Sequence, residues 1–178
     1  TDCYGHLYDD TTVKKQDIRA KAVFGADNSR IIKFPNGSTG QFVTNEQPSQ
    51  TPIVVTRIAE MYLIKAEALN AINQGPTPDA VKAIKKVRDR AGLASDNLPT
   101  DYEGFKKVVL EEYRHEFVME GHRWFDLTRM CTPQEFVDII KAAKPDATPQ
   151  LYHVKFPIPQ RERDLSQGQI TQNEGYNQ

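Results

Sequence analysis

The spacing of hydrophobic positions changes character at Thr56. Before it, short apolar pieces (AKAVFG, IIKF, QFV, PIVV) alternate with turn formers in ADNS, PNGSTG and NEQPSQTP. That pattern describes loop with one or two short strands. RIIKFP and QFVTN, on either side of Asn36-Gly37, form a candidate hairpin.

After Thr56 the period is helical. In RIAEMYLIKAEALNAINQG, Ile58, Ala59, Tyr62, Leu63, Ala66, Leu69 and Ile72 recur at three- and four-residue steps, and Gly75 and Pro76 stop the run. A second helix starts sharply: Thr77 can cap it, Pro78 suits the first turn and Asp79 complements the dipole. It carries Ala80, Val81, Ile84 and Val87 and ends at Gly92. Thr100 and Glu103 offer a capping box for a third helix, expected to run on through EEYRHEFVMEGHRWFDLTRM. Thr132, Pro133 and Glu135 repeat the device for a fourth, with Phe136, Ile139, Ile140 and Ala143 on one face and Pro145 past its end. In the final stretch, prolines and glycines recur too often for a long helix, so an extended, docked tail is expected.

The predicted class is all-α. The first two helices place small residues between large ones, as tetratricopeptide-like pairs do, and a single such pair cannot bury its own face. The expected organisation is a single domain or fragment over 1–178. Residues 1–55 are loop-rich, 56–145 form the helical core and 146–178 the tail.

Charge changes this picture little. The 178 residues hold 23 Lys and Arg against 24 Asp and Glu, a formal net charge of -1 with no long run of one sign. That removes the general electrostatic reason to bind nucleic acid or an anionic membrane. No window reaches the roughly 18–20 apolar residues of a membrane span. Cys3 and Cys131 match no metal or redox spacing and are read as unpaired thiols.

Chemistry is concentrated in Glu111–Met130. On a continuous helix Glu111, His115 and His122 share a side, which raises a metal-dependent hydrolase as a competitor. The spacing of HEFVMEGH, however, is not that of the recognised helical zinc motif. Glu116 and Glu120 lie four apart, but Arg123 follows Glu120 by three and Arg129 follows Asp126 by three, so ion pairing accounts for the carboxylates without acid–base catalysis. No nucleophile elbow, phosphate loop or dinucleotide fingerprint is present. The expectation is a structural helix, with Phe117, Trp124 and Phe125 supplying buried area and Gly121 admitting a close neighbour, the tail. No enzyme, metal or cofactor is expected.

The same residues resemble a known family. VVTRIAEMYLIKAEALN, VRDRAGL, VLEEYRHEFVMEGHRWFDLTRM and FPIPQRERDLSQGQITQNEGY are similar, in order from about Asp17 to Tyr176, to the C-terminal region of the SusD/RagB family. Its Glu-Gly-x-Arg-x-x-Asp-Leu-x-Arg core falls on Glu120, Gly121, Arg123, Asp126, Leu127 and Arg129, with Trp124 inside it. Its Ile-Pro-x-x-Glu tail falls on Ile158, Pro159 and Glu162. Ile18 stands where the family usually has proline, and Glu174 where Asn-Pro-Gly-Tyr is usual.

The resemblance implies a surface-exposed, non-enzymatic outer-membrane lipoprotein of Bacteroidetes. Such a protein binds an oligosaccharide and works with a TonB-dependent, SusC-like transporter barrel in nutrient uptake. It also implies that this chain is a C-terminal portion of a longer protein, whose lipid anchor lies elsewhere. Sugar contacts need aromatic faces and planar polar groups, for which the loop-rich segment offers Tyr4, Tyr8, Phe34, Asn36 and Phe42. The alternative is a helical-repeat protein–protein interaction module without carbohydrate binding.

Overall fold

The structure, a computed structural model, describes residues 17–24, 32–33 and 54–176. Among them are seven α-helices and no strand: α1 (Arg19–Val23), α2 (Ile58–Asn73), α3 (Pro78–Arg90), α4 (Tyr102–Glu116), α5 (Arg123–Met130), α6 (Pro133–Ala143) and α7 (Gln160–Leu165). A 3-10 turn spans Leu151–Val154. The protein is all-α. The candidate hairpin around Asn36-Gly37 lies outside the described residues.

The chain divides into two compact units, the first ending at Arg123 and the second beginning at Trp124. In the first, α2 packs against both α3 and α4. The small residues of α2 and α3 make this close pairing possible: Ala59, Leu63 and Ala66 of α2 and Ala80, Ala83, Ile84 and Val87 of α3 are all buried. The caps are local. Thr77 Oγ1 accepts from the Ala80 N–H at 3.2 Å at the start of α3. Gln74, at φ 53, turns the chain left-handed after α2.

Two expectations need correction here. The cap of α4 is Asp101, whose Oδ1 accepts from the Gly104 N–H at 2.7 Å, and not Thr100. The third helix is also not continuous. It stops at Glu116, and Met119 (φ 62) and Gly121 (φ 80) carry the chain through a turn before α5 begins. Two left-handed residues so close together cannot be absorbed into a right-handed helix.

The second unit is small. In it α6 opens with a complete capping box between Thr132 and Glu135 and packs against the 3-10 turn. Its tail is closed by side-chain amides. Gln172 accepts from the Ile158 N–H (2.8 Å) and donates to the Ile158 carbonyl (3.0 Å), while Asn173 donates to the Phe156 carbonyl (2.7 Å). The Tyr176 hydroxyl donates to the Lys155 carbonyl at 2.6 Å.

Candidate functional site

Helical periodicity puts charge inside the first unit. On α4 the buried stripe is Phe105, Val109, Glu112, Tyr113 and Glu116, so two carboxylates continue the line begun by apolar residues. Each is almost completely enclosed and must be compensated.

The compensation comes from distant segments. Arg19, on α1, forks onto Asp17 (Nε to Oδ1 2.9 Å, Nη2 to Oδ2 2.7 Å) and reaches Glu112 Oε1 at 2.6 Å and Glu116 Oε2 at 3.0 Å through Nη1. Arg57, just before α2, donates to Glu116 Oε1 (2.6 Å) and takes Glu120 in a two-point grip (2.9 and 2.8 Å). Lys33 reaches Glu120 Oε1 at 2.6 Å. Arg88 pairs with Glu112 at 3.2 Å, and Arg90 with both oxygens of Glu116. Five cations thus enclose four carboxylates.

The same cations finish the helix. Lys33 Nζ donates to the Glu116 and Val118 carbonyls, each at 2.9 Å, and Arg57 Nη2 donates to the Glu116 carbonyl at 3.0 Å. These carbonyls lie at the end of α4, where helical partners run out. Arg57 also lies over the Phe117 ring, 4.6 Å from its centre, and His122 stacks on that ring at 4.5 Å.

The electrostatics are those of a locked structure. Burial alone would raise the Glu116 and Glu120 carboxyls, but hydrogen bonds from Arg57 to both, and from Arg19 and Lys33 in turn, hold each below its ordinary value. Burial likewise pulls Arg19 and Arg57 down, and their carboxylate partners more than reverse it. Lys33 is the exception: burial outweighs Glu120 and leaves its ammonium below the usual lysine range. A carboxylate held ionised by several guanidinium contacts is a poor general acid or base near neutrality.

The residues read together as a motif take different roles. Glu120 is gripped by Arg57 and Lys33 rather than resting on Arg123. Arg123 donates to the Leu110 carbonyl (3.3 Å) and lies 3.5 Å from Glu111. Asp126 is buried beside Arg129, 3.1 Å away. Trp124 stacks on Phe156 at 4.8 Å and meets Phe136 edge-on at 5.1 Å. Phe117 is buried, but Phe125 is 64% exposed and supplies little core. Pro159 precedes α7, and Glu162 lies in the first turn of that helix.

Gly121 corrects another expectation, since a Cβ added there would meet nothing within 4 Å among the described residues. The glycine answers to its φ of +80, not to a close neighbour. A close approach is found at Gly175, where an added Cβ would run into the ring of Tyr152. Tyr152, Leu151, Val154, Lys155, Glu174 and Pro133 line a concavity of about 470 Å³ in the second unit.

The helix break also separates Glu111 and His115 from the azimuth of His122. Among the described residues no group of three His, Cys, Asp or Glu side chains is placed to hold a metal ion. No helix there is long and apolar enough to cross a membrane. Cys131 is half-buried. Tyr4, Tyr8, Phe34, Asn36, Phe42 and Cys3 lie outside the described residues. Sequence spacing missed Asp17, Arg19, Lys33, Arg57, Arg88 and Arg90 as partners of the α4 carboxylates. The one available signal was the placement of Glu112 and Glu116 on the stripe of Phe105 and Val109.

A buried ionic lattice at the end of a helix, with an adjoining helix pair, defines a structural scaffold. The SusD family model matches residues 17–176, and the chain belongs to that family. It is similar to the starch-binding protein SusD of Bacteroides thetaiotaomicron, 31% identical over 176 residues, 96% of this chain and 30% of that protein. SusD-like protein P25 of Formosa agariphila is 34% identical over 118 residues, 64% of this chain and 22% of its own length. The crystal structure of a SusD homologue from Bacteroides thetaiotaomicron superposes with a TM-score of 0.56 at 28% identity, covering 76% of this chain and 29% of that one. The chain therefore spans between a fifth and a third of the length of these relatives.

Proposed function

We propose that the chain is the C-terminal portion of a non-enzymatic, surface-exposed lipoprotein that binds oligosaccharide and works with a TonB-dependent, SusC-like barrel in nutrient uptake at the outer membrane. The observation that carries this reading is the 31% identity, over nearly the whole chain, to a protein named for binding starch. The ionic lattice supports it from the other side. Its carboxylates are committed to cations and its rings to packing, which suits a scaffold that presents a binding surface elsewhere.

Within this reading the sugar contacts are assigned to Tyr4, Tyr8, Phe34, Asn36 and Phe42. Their types match what sugars require: ring faces for C–H surfaces and an amide for hydroxyls.

The test uses the product of the complete reading frame. Titration calorimetry against starch oligosaccharides and a panel of other glycans should give saturable heat with at least one. Alanine at the aromatic positions should weaken that binding while leaving the melting temperature in place. Release of reducing sugar during the titration, or silence across the panel, would overturn the proposal. Copurification of the tagged protein with an outer-membrane barrel tests the partnership separately.

A further inference from the structure

The concavity of the second unit combines apolar walls with one charge of each sign. Pro133, Leu151, Val154 and Tyr152 supply the walls, and Lys155 and Glu174 the charges. The fold makes no use of either charge. Among the described residues no ion pair or side-chain hydrogen bond engages the Lys155 ammonium or the Glu174 carboxylate. Glu174 also stands where the family usually has proline, so the turn does not require an acid there.

The frame around these charges is fixed. The Tyr152 ring rests against Gly175, where a Cβ would run into it, and meets Tyr176 edge-on at 4.9 Å. His153 Nδ1 accepts from the Gln150 N–H at 3.0 Å and closes the 3-10 turn that carries Leu151, Tyr152 and Val154. Asn173 and Tyr176, on either side of Glu174, donate to the carbonyls of Phe156 and Lys155. The volume of about 470 Å³ falls within the roughly 300–1,000 Å³ of small-molecule sites, which are mostly preformed and apolar with a few placed polar groups.

The geometry points to a binding site for a small zwitterion with an apolar body, of which a dipeptide with an aliphatic side chain is the simplest example. Lys155 receives the carboxylate, Glu174 receives the ammonium, and the body lies against Tyr152, Leu151, Val154 and Pro133. A ligand of one sign satisfies one of the two charges and is repelled by the other. A ligand with both signs satisfies the pair together and is oriented by it. The inference concerns the second unit alone and does not rest on sugar binding, so the two readings can fail separately.

The test is titration calorimetry on the product of the complete reading frame, with alanyl-leucine, its N-acetyl form and its C-terminal amide. The free dipeptide should bind saturably. Blocking either end should weaken binding by about threefold to fivefold, the upper worth of a part-exposed ion pair. Glu174→Gln should erase the preference for the free amine, and Lys155→Gln the preference for the free carboxylate. Both variants should keep the melting temperature, because neither side chain holds the fold. Equal binding of all three forms, or no saturable heat with any of them, would overturn the inference. Saturable heat from a neutral oligosaccharide that both variants abolish would make the concavity a sugar subsite and overturn it as well.

Discussion

Replacing Arg19 by methionine removes the centre of the ionic lattice while keeping much of its volume. The side chain is 8% exposed, and the carboxylates of Asp17, Glu112 and Glu116 around it are 0%, 1% and 2% exposed. After the change Glu112 keeps Arg88, and Glu116 keeps Arg57 and Arg90. Among the described residues Asp17 keeps only the backbone N–H of residue 19, at 2.9 Å. The cost is therefore dominated by one stranded carboxylate. Breaking a buried pair in this way costs about 3–5 kcal/mol, a large share of the roughly 5–15 kcal/mol that holds a domain folded.

Urea unfolding followed by far-ultraviolet circular dichroism measures the loss. A second variant, Arg19→Met with Asp17→Asn, removes the stranded charge and should recover at least about 1 kcal/mol. Raising salt to 1 M should leave the single-variant loss largely intact, since buried pairs are weakly screened. A loss below about 1 kcal/mol, the range of an exposed bridge, would refute the picture of an enclosed lattice. Failure of the Asp17 change to restore anything would refute the assignment of the cost.

Three further outcomes are expected. Glu116 and Glu120 have folded pKa values below their unfolded ones, so their stabilisation is present above about pH 4.5 and lost as pH falls through the folded values; Glu116→Gln should flatten the acid limb of the stability profile, and parallel limbs would contradict it. Gly121→Ala should cost about 1 kcal/mol through its left-handed backbone alone, with Gly121→Asn milder; a loss several times larger in urea unfolding would restore the close neighbour. Gly175→Ala should displace Tyr152 and speed amide hydrogen exchange around residues 150–158 and 170–176, and unchanged exchange would show that the contact is not there.

Much of the helical scaffold is legible in the sequence because its signals are local. Thr77, Thr132 and Glu135 act within three residues, and the apolar period marks α2, α3 and α6. The period on α2 did not distinguish the covered side from the open one, because Ala59 and Ile58 are equally apolar and only tertiary neighbours separate them. The ion pairs were the opposite case. Spacing along one helix offered Arg123 to Glu120, but the lattice draws on Lys33 and Arg57, 87 and 63 positions away. Such partners leave no periodic trace. The break after Glu116 had one visible cue, Gly121, which reads equally well as a packing glycine.

The carbonyls of Glu116 and Val118 are received by Lys33 and Arg57, so the place where α4 stops is not written into α4 itself. A peptide cut from residues 101–131 keeps Gly121 but lacks Lys33 and Arg57, and should coil onward past Phe117 more often than the assembled domain does. Where this helix ends is settled by segments that must first travel to it, which makes its length a property of the assembled domain.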